Sequence, residues 1–349
     1  MVLSGVIIKF PYWICWQLRR ITGRLHGVVF YMESTHDYHV MEYILPHIQA
    51  PYAIAAKSKE VTTVLRHKGL KVITWPVFPT VVIMARHAFH RFPIKAIKRI
   101  GLMHGPYYFK NMISAKKYNA FDLYLFTSPR VLHQASQKGI RVGQVGGYAR
   151  IDAFKDPAVI SESTHIKSQA NFMENKKTLL FSATWDGSGQ SAVDRWADKL
   201  GSLDSRYNIL VSLHPMMSAT YVQKVKQNKD VYFLKQDQLY AGMLLADLMI
   251  CDTSSVMAEF CALDKPMISF RIQEGPRLTQ VIKNMISEIS TQINHIEELD
   301  DRISQYMSHP DLKRTDRQRW RQQIYEDTSV SHGKKTADAI NSFLNKFNK

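Results

Sequence analysis

Leu248-Met249-Ile250-Cys251-Asp252-Thr253-Ser254-Ser255-Val256-Met257-Ala258-Glu259-Phe260 is the stretch from which the fold is read. Four apolar residues in a row, closed by a hydroxyl-rich turn, have the length and boundary of a strand. Asp252, Thr253 and Ser254 are residue types that cap a helix, because their side-chain oxygens accept from first-turn amides. Strand, capped turn and helix together form the repeating unit of a parallel α/β sheet. The first amides of such a helix have no intrahelical partner and can donate to phosphate oxygens, with the hydroxyls of Thr253, Ser254 and Ser255 beside them. Glu259 lies one turn beyond Ser255 on the same face, where it can accept from sugar hydroxyls. Asp252 is counted with this site although a carboxylate repels phosphate; its other role is to hold the turn by accepting backbone amides.

The same rhythm extends in both directions. Short β-rich runs at residues 28–32, 52–56, 70–75, 81–85, 99–103 and 121–126 alternate with helical stretches, and further runs stand at 178–181, 208–213, 231–234 and 267–270. A polar stretch over 155–176, with Pro157 and several Ser, Asn and Lys residues, interrupts the pattern and predicts a linker. After Gly275 the chain turns helical and charged, at 293–307, 313–325 and 335–347. The expectation is an α/β protein with two doubly wound parallel-sheet domains, 25–154 and 177–290, facing a central cleft, with C-terminal helices over 291–349. Its length of 349 residues suits two domains better than one core.

Composition narrows the ligand. The 46 Lys and Arg against 30 Asp and Glu leave a net charge of +16, which attracts phospholipid, nucleic acid or a phosphorylated substrate. The basic residues are spread out, without zinc-finger, RNP-type or basic-zipper signatures, so nucleic acid is not expected as a partner. Cys15, Cys251 and Cys261 lack the paired spacing of a metal knuckle or redox motif and read as reduced thiols in the cytoplasm. His36 and His39 flank Asp37 in a stretch read as a loop, and the 14 histidines are read mostly as ordinary surface residues. No acidic cluster has metal-binding spacing, so neither a metal nor another cofactor is expected. The N-terminal segment is apolar and aromatic, but Lys9 and Pro11 interrupt it and it is shorter than the ~20 residues of a membrane span. Residues 1–24 read instead as a membrane-surface segment, with Tyr12, Trp13 and Trp16 at the headgroup boundary and Arg19, Arg20 and Arg24 toward anionic lipid. The alternative is a helix docked on the protein's own core.

Ligands of doubly wound folds bind beyond the carboxyl ends of the strands, so polar residues directly after predicted strands are singled out. Ile100-Gly101-Leu102-Met103-His104-Gly105-Pro106 places His104 at such an end, where an imidazole can take a proton from a hydroxyl. Leu210-Val211-Ser212-Leu213-His214-Pro215 repeats the arrangement, and His214 can donate to a phosphate oxygen. Gly146-Gly147-Tyr148-Ala149-Arg150-Ile151-Asp152 stands at the domain junction; Arg150 offers a fork for a carboxylate or phosphate, or pairs with Asp152. In Phe181-Ser182-Ala183-Thr184-Trp185-Asp186-Gly187, Trp185 either stacks a base or packs in the hinge.

In order and spacing these elements resemble the CDP-glycerol glycerophosphotransferase family, whose members prime and polymerise teichoic acids and related capsule polymers. The resemblance covers residues 101–270: His104-Gly105, Gly147 through Asp152, Ala183-Thr184-Trp185, His214-Pro215, Asp252 through Glu259, and Lys265-Pro266. It implies a GT-B architecture, CDP-glycerol as donor, CMP as leaving group, and a lipid-linked or polymeric acceptor at the inner face of the plasma membrane. It also implies His104 as base, His214 with the serines as phosphate ligands, and Gly105, Arg150, Asp152, Thr184 and Trp185 in support. The chain departs from the family pattern at Thr253, where Tyr is usual, at Ala149 and Ala183, where Pro is usual, and at Asp186, where Arg is usual. These departures leave the donor open between CDP-glycerol, CDP-ribitol and a nucleotide sugar.

Overall fold

Every strand pairing among the described residues is parallel, so each strand must be followed by a crossover before the next can pair. The computed structural model describes residues 3–106, 114–203, 205–272, 275 and 278–347, with side chains from residue 9 onward. The chain divides into two units. The first carries β1 (Val28–Met32), β2 (Tyr52–Ala56), β3 (Val72–Thr74), β4 (Val81–Met84), β5 (Lys98–Leu102), β6 (Leu123–Phe126) and β7 (Gly143–Val145), in the order β3-β2-β1-β4-β5-β6-β7. The second carries β8 (Thr178–Ala183), β9 (Asn208–Leu213), β10 (Val231–Phe233), β11 (Leu248–Cys251), β12 (Met267–Phe270) and β13 (Thr291–Ile293), in the order β10-β9-β8-β11-β12-β13. Each sheet reverses direction beside its first strand, the doubly wound arrangement expected from the alternation of runs.

Burial explains which strands were legible. β1, β4, β6, β8, β9, β11 and β12 are buried along their whole length, because helices cover both faces of a parallel sheet. β7 and β13, three residues each at a sheet edge and partly exposed, were not expected. Each holds a single apolar residue beside Gly, Gln or Thr, so neither has the apolar run that made the equally short edge strands β3 and β10 legible.

Two expectations are corrected. Residues 157–169 are a helix, Pro157–Gln169, and not part of a linker; Asp156 accepts from Ala158 N at 2.8 Å and Pro157 occupies the first turn. Only Ile166 of this helix is buried, so its sequence carries almost no apolar periodicity. The helical stretch expected from residue 293 begins at Leu299, after β13. The C-terminal helices divide between the units: Leu299–Ser308 and Arg314–Tyr325 stay with the second, whereas His332–Phe347 belongs to the first. That last helix is pinned by its buried polar side chains. His332 Nδ1 accepts from Tyr148 N at 3.1 Å, Thr336 Oγ1 donates to Gly146 O at 2.7 Å, and Asn341 bonds both Gln49 N and His47 O.

The N-terminal segment is a helix, Leu3–Ile21, whose first two preceding residues lie outside the described set. Tyr12 and Trp16 are buried, with Tyr12 Oη donating to Val77 O at 2.7 Å and Trp16 Nε1 to Pro79 O at 2.9 Å. Two of the three aromatic residues expected at a lipid boundary therefore face the protein, because their polar tips find backbone acceptors there. Among the described residues no helix is long and apolar enough to cross a membrane.

Lys265-Pro266 acquires a structural reason. Lys265 Nζ donates to Leu244 O at 2.6 Å, Ala246 O at 2.8 Å and Met243 O at 3.3 Å, satisfying the last carbonyls of the helix Leu239–Leu245. Burial pushes its ammonium down to about 8. At Gly333, a Cβ would lie 2.0 Å from the carbonyl oxygen of Tyr43. Gly333→Ala is therefore expected to lower stability by about 1–3 kcal/mol despite alanine's better helix propensity, measured by thermal unfolding.

Candidate active site

In the second unit, β9, β8 and β11 are neighbours, and each ends in one of the elements singled out from sequence: His214, Thr184-Trp185-Asp186 and Asp252 to Ser255. Asp252 joins two of them. Its carboxylate is 1% exposed and accepts from Thr184 N with both oxygens at 3.0 Å, from Ala192 N at 3.1 Å and from Ser254 N at 3.0 Å. Burial pushes this carboxyl up to about 6, against the pull of the Ala192, Thr184 and Ser254 amides. Of the two roles read for Asp252 from sequence, its oxygens thus serve the second, holding the turn by accepting backbone amides, and in doing so clamp two loops together. The electrostatic objection to phosphate at this turn weakens accordingly.

The helix after the turn, Val256–Cys261, is short, and its N-cap is Ser255 in helical conformation without a side-chain capping bond. Of Asp252, Thr253 and Ser254, the residue types expected to cap it, Ser254 meets a first-turn amide, its Oγ accepting from Val256 N at 3.4 Å, while Thr253 Oγ1 donates to Gln190 O at 3.1 Å. Ser255 is half-buried, Ser254 buried, and Glu259 buried within the helix, so the carboxylate expected to meet sugar hydroxyls lies beneath the surface.

His214 is exposed, and its Nδ1 accepts from Met216 N at 3.1 Å. A ring nitrogen that accepts carries no proton, so the neutral imidazole holds its proton on Nε2 and presents a donor there. Asp186 fixes the neighbouring loop by accepting from Ser218 N at 3.0 Å. Thr184 and Trp185 are half-buried, and the indole lies so close to Gly187 that a Cβ there would meet it at 2.6 Å.

In the first unit, His104 follows β5 and is exposed, with Gly105 half-buried beside it. Arg150, in the short helical turn Ala149–Lys155 after β7, is buried, and Gly147 reaches it with φ +88, where a Cβ would meet His332 Nδ1 at 2.8 Å. Asp152 is half-buried and falls in the other unit.

Sequence reasoning missed the residues that follow β1 and β4, the strands adjoining β5. The stretch Thr35–Met41 is a helix, not a loop. Within it Asp37 is buried, accepting from Glu33 N at 2.8 Å, Ser34 N at 3.2 Å and Arg86 Nε at 2.8 Å. His36 beside it is half-buried; desolvation first, then the charges of Arg150, Arg86, His39 and His104, push its imidazole down to about 3. His87 is enclosed by the rings of Phe89, Tyr118, Phe121 and Tyr124, with centroids at 4.9 to 6.0 Å. Desolvation, then His104 and Lys117, push it down to about 4. With His332 fully buried as well, these histidines are not the ordinary surface residues expected. The strand-end rule that selected His104 would have found His36, Arg86 and His87 had it been applied to β1 and β4. In the second unit, Gln190 was also missed. Its side chain is buried, its Nε2 has no hydrogen-bond partner among the described residues, and a Cβ at Gly275 would stand 2.0 Å from that nitrogen.

The family described as CDP-Glycerol:Poly(glycerophosphate) glycerophosphotransferase matches residues 82–337. A teichoic acid poly(ribitol-phosphate) polymerase of Bacillus spizizenii (strain ATCC 23059 / NRRL B-14472 / W23) is 25% identical over 260 residues, covering 66% of this chain and 41% of that polymerase. The chain thus spans less than half the length of that relative. Among solved structures, the wall teichoic acid polymerase TagF, in a variant soaked with CDPG, aligns with TM-score 0.63 and 12% identity, over 97% of each chain. The UDP-GlcNAc 2-epimerase of Neisseria meningitidis, bound to UDP-GlcNAc, aligns with TM-score 0.61 and 12% identity, over 92% of this chain and all of that one. At such identity the likeness speaks for the fold alone, which is GT-B-like.

Two outcomes are expected from the local chemistry. Asp252→Asn replaces an acceptor-only group by one that turns an N–H toward backbone donors, and should destabilise the protein by about 1–3 kcal/mol in denaturant titration. His36 and His87 have folded pKa values below the ordinary 6.5. Their contribution to stability is therefore complete above pH 6.5 and is lost as pH falls through about 4 for His87 and about 3 for His36. In His87→Phe, the fall of the melting temperature between pH 6.5 and 4 should be shallower than in the unaltered protein.

Proposed function

Because this chain belongs to the CDP-glycerol:poly(glycerophosphate) glycerophosphotransferase family, we infer that it moves a polyol phosphate from a CDP-activated donor to an acceptor hydroxyl and releases CMP. Glycerol phosphate from CDP-glycerol is the first reading. The observation that carries it is the buried Asp252 carboxylate, bonded to Thr184 N, Ala192 N and Ser254 N, beside the hydroxyls of Ser254 and Ser255 and a histidine poised to donate from Nε2.

In this reading His104 takes the proton of the acceptor hydroxyl, whose oxygen forms a new bond to the phosphorus being transferred. The bond from that phosphorus to the CMP oxygen breaks, and the electron pair leaves with CMP. His214 and the serine hydroxyls donate to the negative charge that develops there, a stabilisation that works best where the donors are already held in place. Thr184 and Trp185 form the adjoining wall for the nucleotide, and Arg150, with Gly105 and Asp152, supports the acceptor side. The acceptor is a lipid-linked or polymeric chain of teichoic-acid or capsule type, and the reaction belongs in the cytoplasm against the plasma membrane.

CDP-ribitol is the second reading, supported by the 25% identity to a poly(ribitol-phosphate) polymerase and by Thr253 in place of the family's usual Tyr. A nucleotide sugar has less support, since the epimerase likeness concerns fold only. The test offers the full chain CDP-glycerol, CDP-ribitol and UDP-GlcNAc with a polyol-phosphate-primed lipid acceptor, and measures nucleotide release. CMP release from a CDP-polyol is expected, with His104→Ala and His214→Ala each lowering kcat/KM by roughly 10²–10⁴. Wild-type rates in both variants, or turnover of the UDP-sugar instead, would refute the assignment.

A further inference from the structure

Arg86 is a charged fork that the transfer reaction, as read above, leaves unused. It follows β4, whose last residue, Met84, pairs with Gly101 of β5. Two residues on from each, Arg86 leaves the sheet opposite Met103 and next to His104, on strands that lie about 4.8 Å apart. On the other flank Met84 pairs with Tyr31 of β1, so the helix that carries His36 and Asp37 starts beside Arg86 as well. Strand order thus sets one guanidinium between the buried Asp37 and the histidine read as base. After desolvation, the charges of Arg150, Arg86, His39 and His104 all act on the ring of His36, which places these groups in one neighbourhood.

The way Arg86 is held turns its recognition edge outward. Nε donates to Asp37 Oδ1 at 2.8 Å, and Nη2 lies at the limit of a hydrogen bond, 3.5 Å from Ser34 Oγ. Nη1 donates to nothing among the described residues, and the Arg86 side chain is 46% exposed where that of Asp37 is 1% exposed. Asp37 is itself fixed by the amides of Glu33 and Ser34, so the start of the helix sets the carboxylate and the carboxylate sets the arginine. An arginine anchored through Nε keeps Nη1 and Nη2 as a fork for two oxygens of one phosphate, which a lysine does not offer. The nearby carboxylates are already matched: Asp37 as described, and Glu33 by Arg91 Nε at 3.0 Å and Lys57 Nζ at 3.4 Å. An anion approaching His104 therefore meets Arg86 without an unanswered acid beside it.

We propose that Arg86 reads a phosphate of the acceptor: a phosphodiester within a few bonds of the attacking hydroxyl meets Nη1 and Nη2, and that grip sets the hydroxyl against His104. Asp37 is a positioning residue that acts through Arg86. The inference rests on the polyol-phosphate reading, in which the donor's phosphates belong to the second unit, so an anion at His104 belongs to the acceptor. It follows that the chain extends ends that already bear a polyol phosphate, supplied by an earlier transfer, and that a neutral sugar end leaves the fork empty.

The test reads binding apart from turnover. Bis(glycerol) phosphate, a diester with free hydroxyls, is titrated into the full chain without nucleotide and followed by ligand NMR, with glycerol as the uncharged control. The unaltered chain is expected to bind the diester, less at high salt, and not glycerol. Arg86→Gln should weaken this binding at least ~10-fold, and Arg86→Lys, which keeps an ion pair with Asp37 but lacks the fork, should weaken it several-fold. Asp37→Asn should weaken it in the unaltered chain and have no further effect beside Arg86→Gln, a coupling that a purely structural role would not produce. Absence of diester binding, glycerol bound equally well, or full binding by folded Arg86→Gln and Arg86→Lys would each overturn the assignment. Loss of diester binding with Arg86 in a chain that turns over no CDP-polyol sinks the donor reading alone. Equal transfer to phosphorylated and neutral acceptors sinks this one alone.

Discussion

The loops at the carboxyl edge of the second domain hang on one buried carboxylate. Asp252 stands where β11 ends, and its oxygens receive amides from its own turn and from the loop that follows β8. A carboxylate out of water is costly unless its lone pairs are filled, and here backbone donors fill them. The consequence is geometric: two loops from adjacent strands are locked together, and the hydroxyls of Thr253, Ser254 and Ser255 are fixed relative to Thr184 and Trp185. A donor array fixed before the ligand arrives loses little in reorganisation when charge develops, which is the requirement for stabilising a leaving phosphate.

The first domain solves a different electrostatic problem. The carboxyl edge of β1, β4 and β5 gathers His36, Arg86, His87 and His104, and Arg150 adds its charge from beyond β7. The buried Asp37 anchors Arg86, and burial together with neighbouring cations keeps His36 and His87 uncharged. His104 therefore stands near imidazoles held in the neutral form, on an edge where the Arg86 guanidinium is paired with the Asp37 carboxylate.

The N-terminal helix shows why aromatic residues cannot be assigned to a phase by composition. Tyr12, Trp13 and Trp16 are alike in amphipathic character, yet Tyr12 and Trp16 are buried and find the carbonyls of Val77 and Pro79 while Trp13 is turned round the helix to solvent. What separates them is the 100° turn per residue of a helix combined with the surface it happens to meet.

By itself the sequence determined the alternation of strands and helices, the parallel α/β class, and the strand-end positions of His104, His214 and Asp252. These are local properties: a fully buried strand must be a short apolar run, and a residue directly after it must lie at the sheet's carboxyl edge. The helix Pro157–Gln169 escaped because a helix with one buried residue has no period to read, and β7 and β13 because Gly-Gln-Val and Thr-Gln-Ile contain no apolar run. Only the tertiary structure decided that Asp252 faces inward to backbone amides, that Glu259 is buried, that the final helix returns to the first domain, and that His36 and His87 join His104. Each of those depends on which loops the sheet order sets side by side, and strand order is fixed by packing between segments far apart in the chain. The feature that decided the fold, the run from Leu248 into Asp252, was legible as strand and turn; the direction of its carboxylate was not, because its partners at Thr184 and Ala192 lie 60 or more residues away.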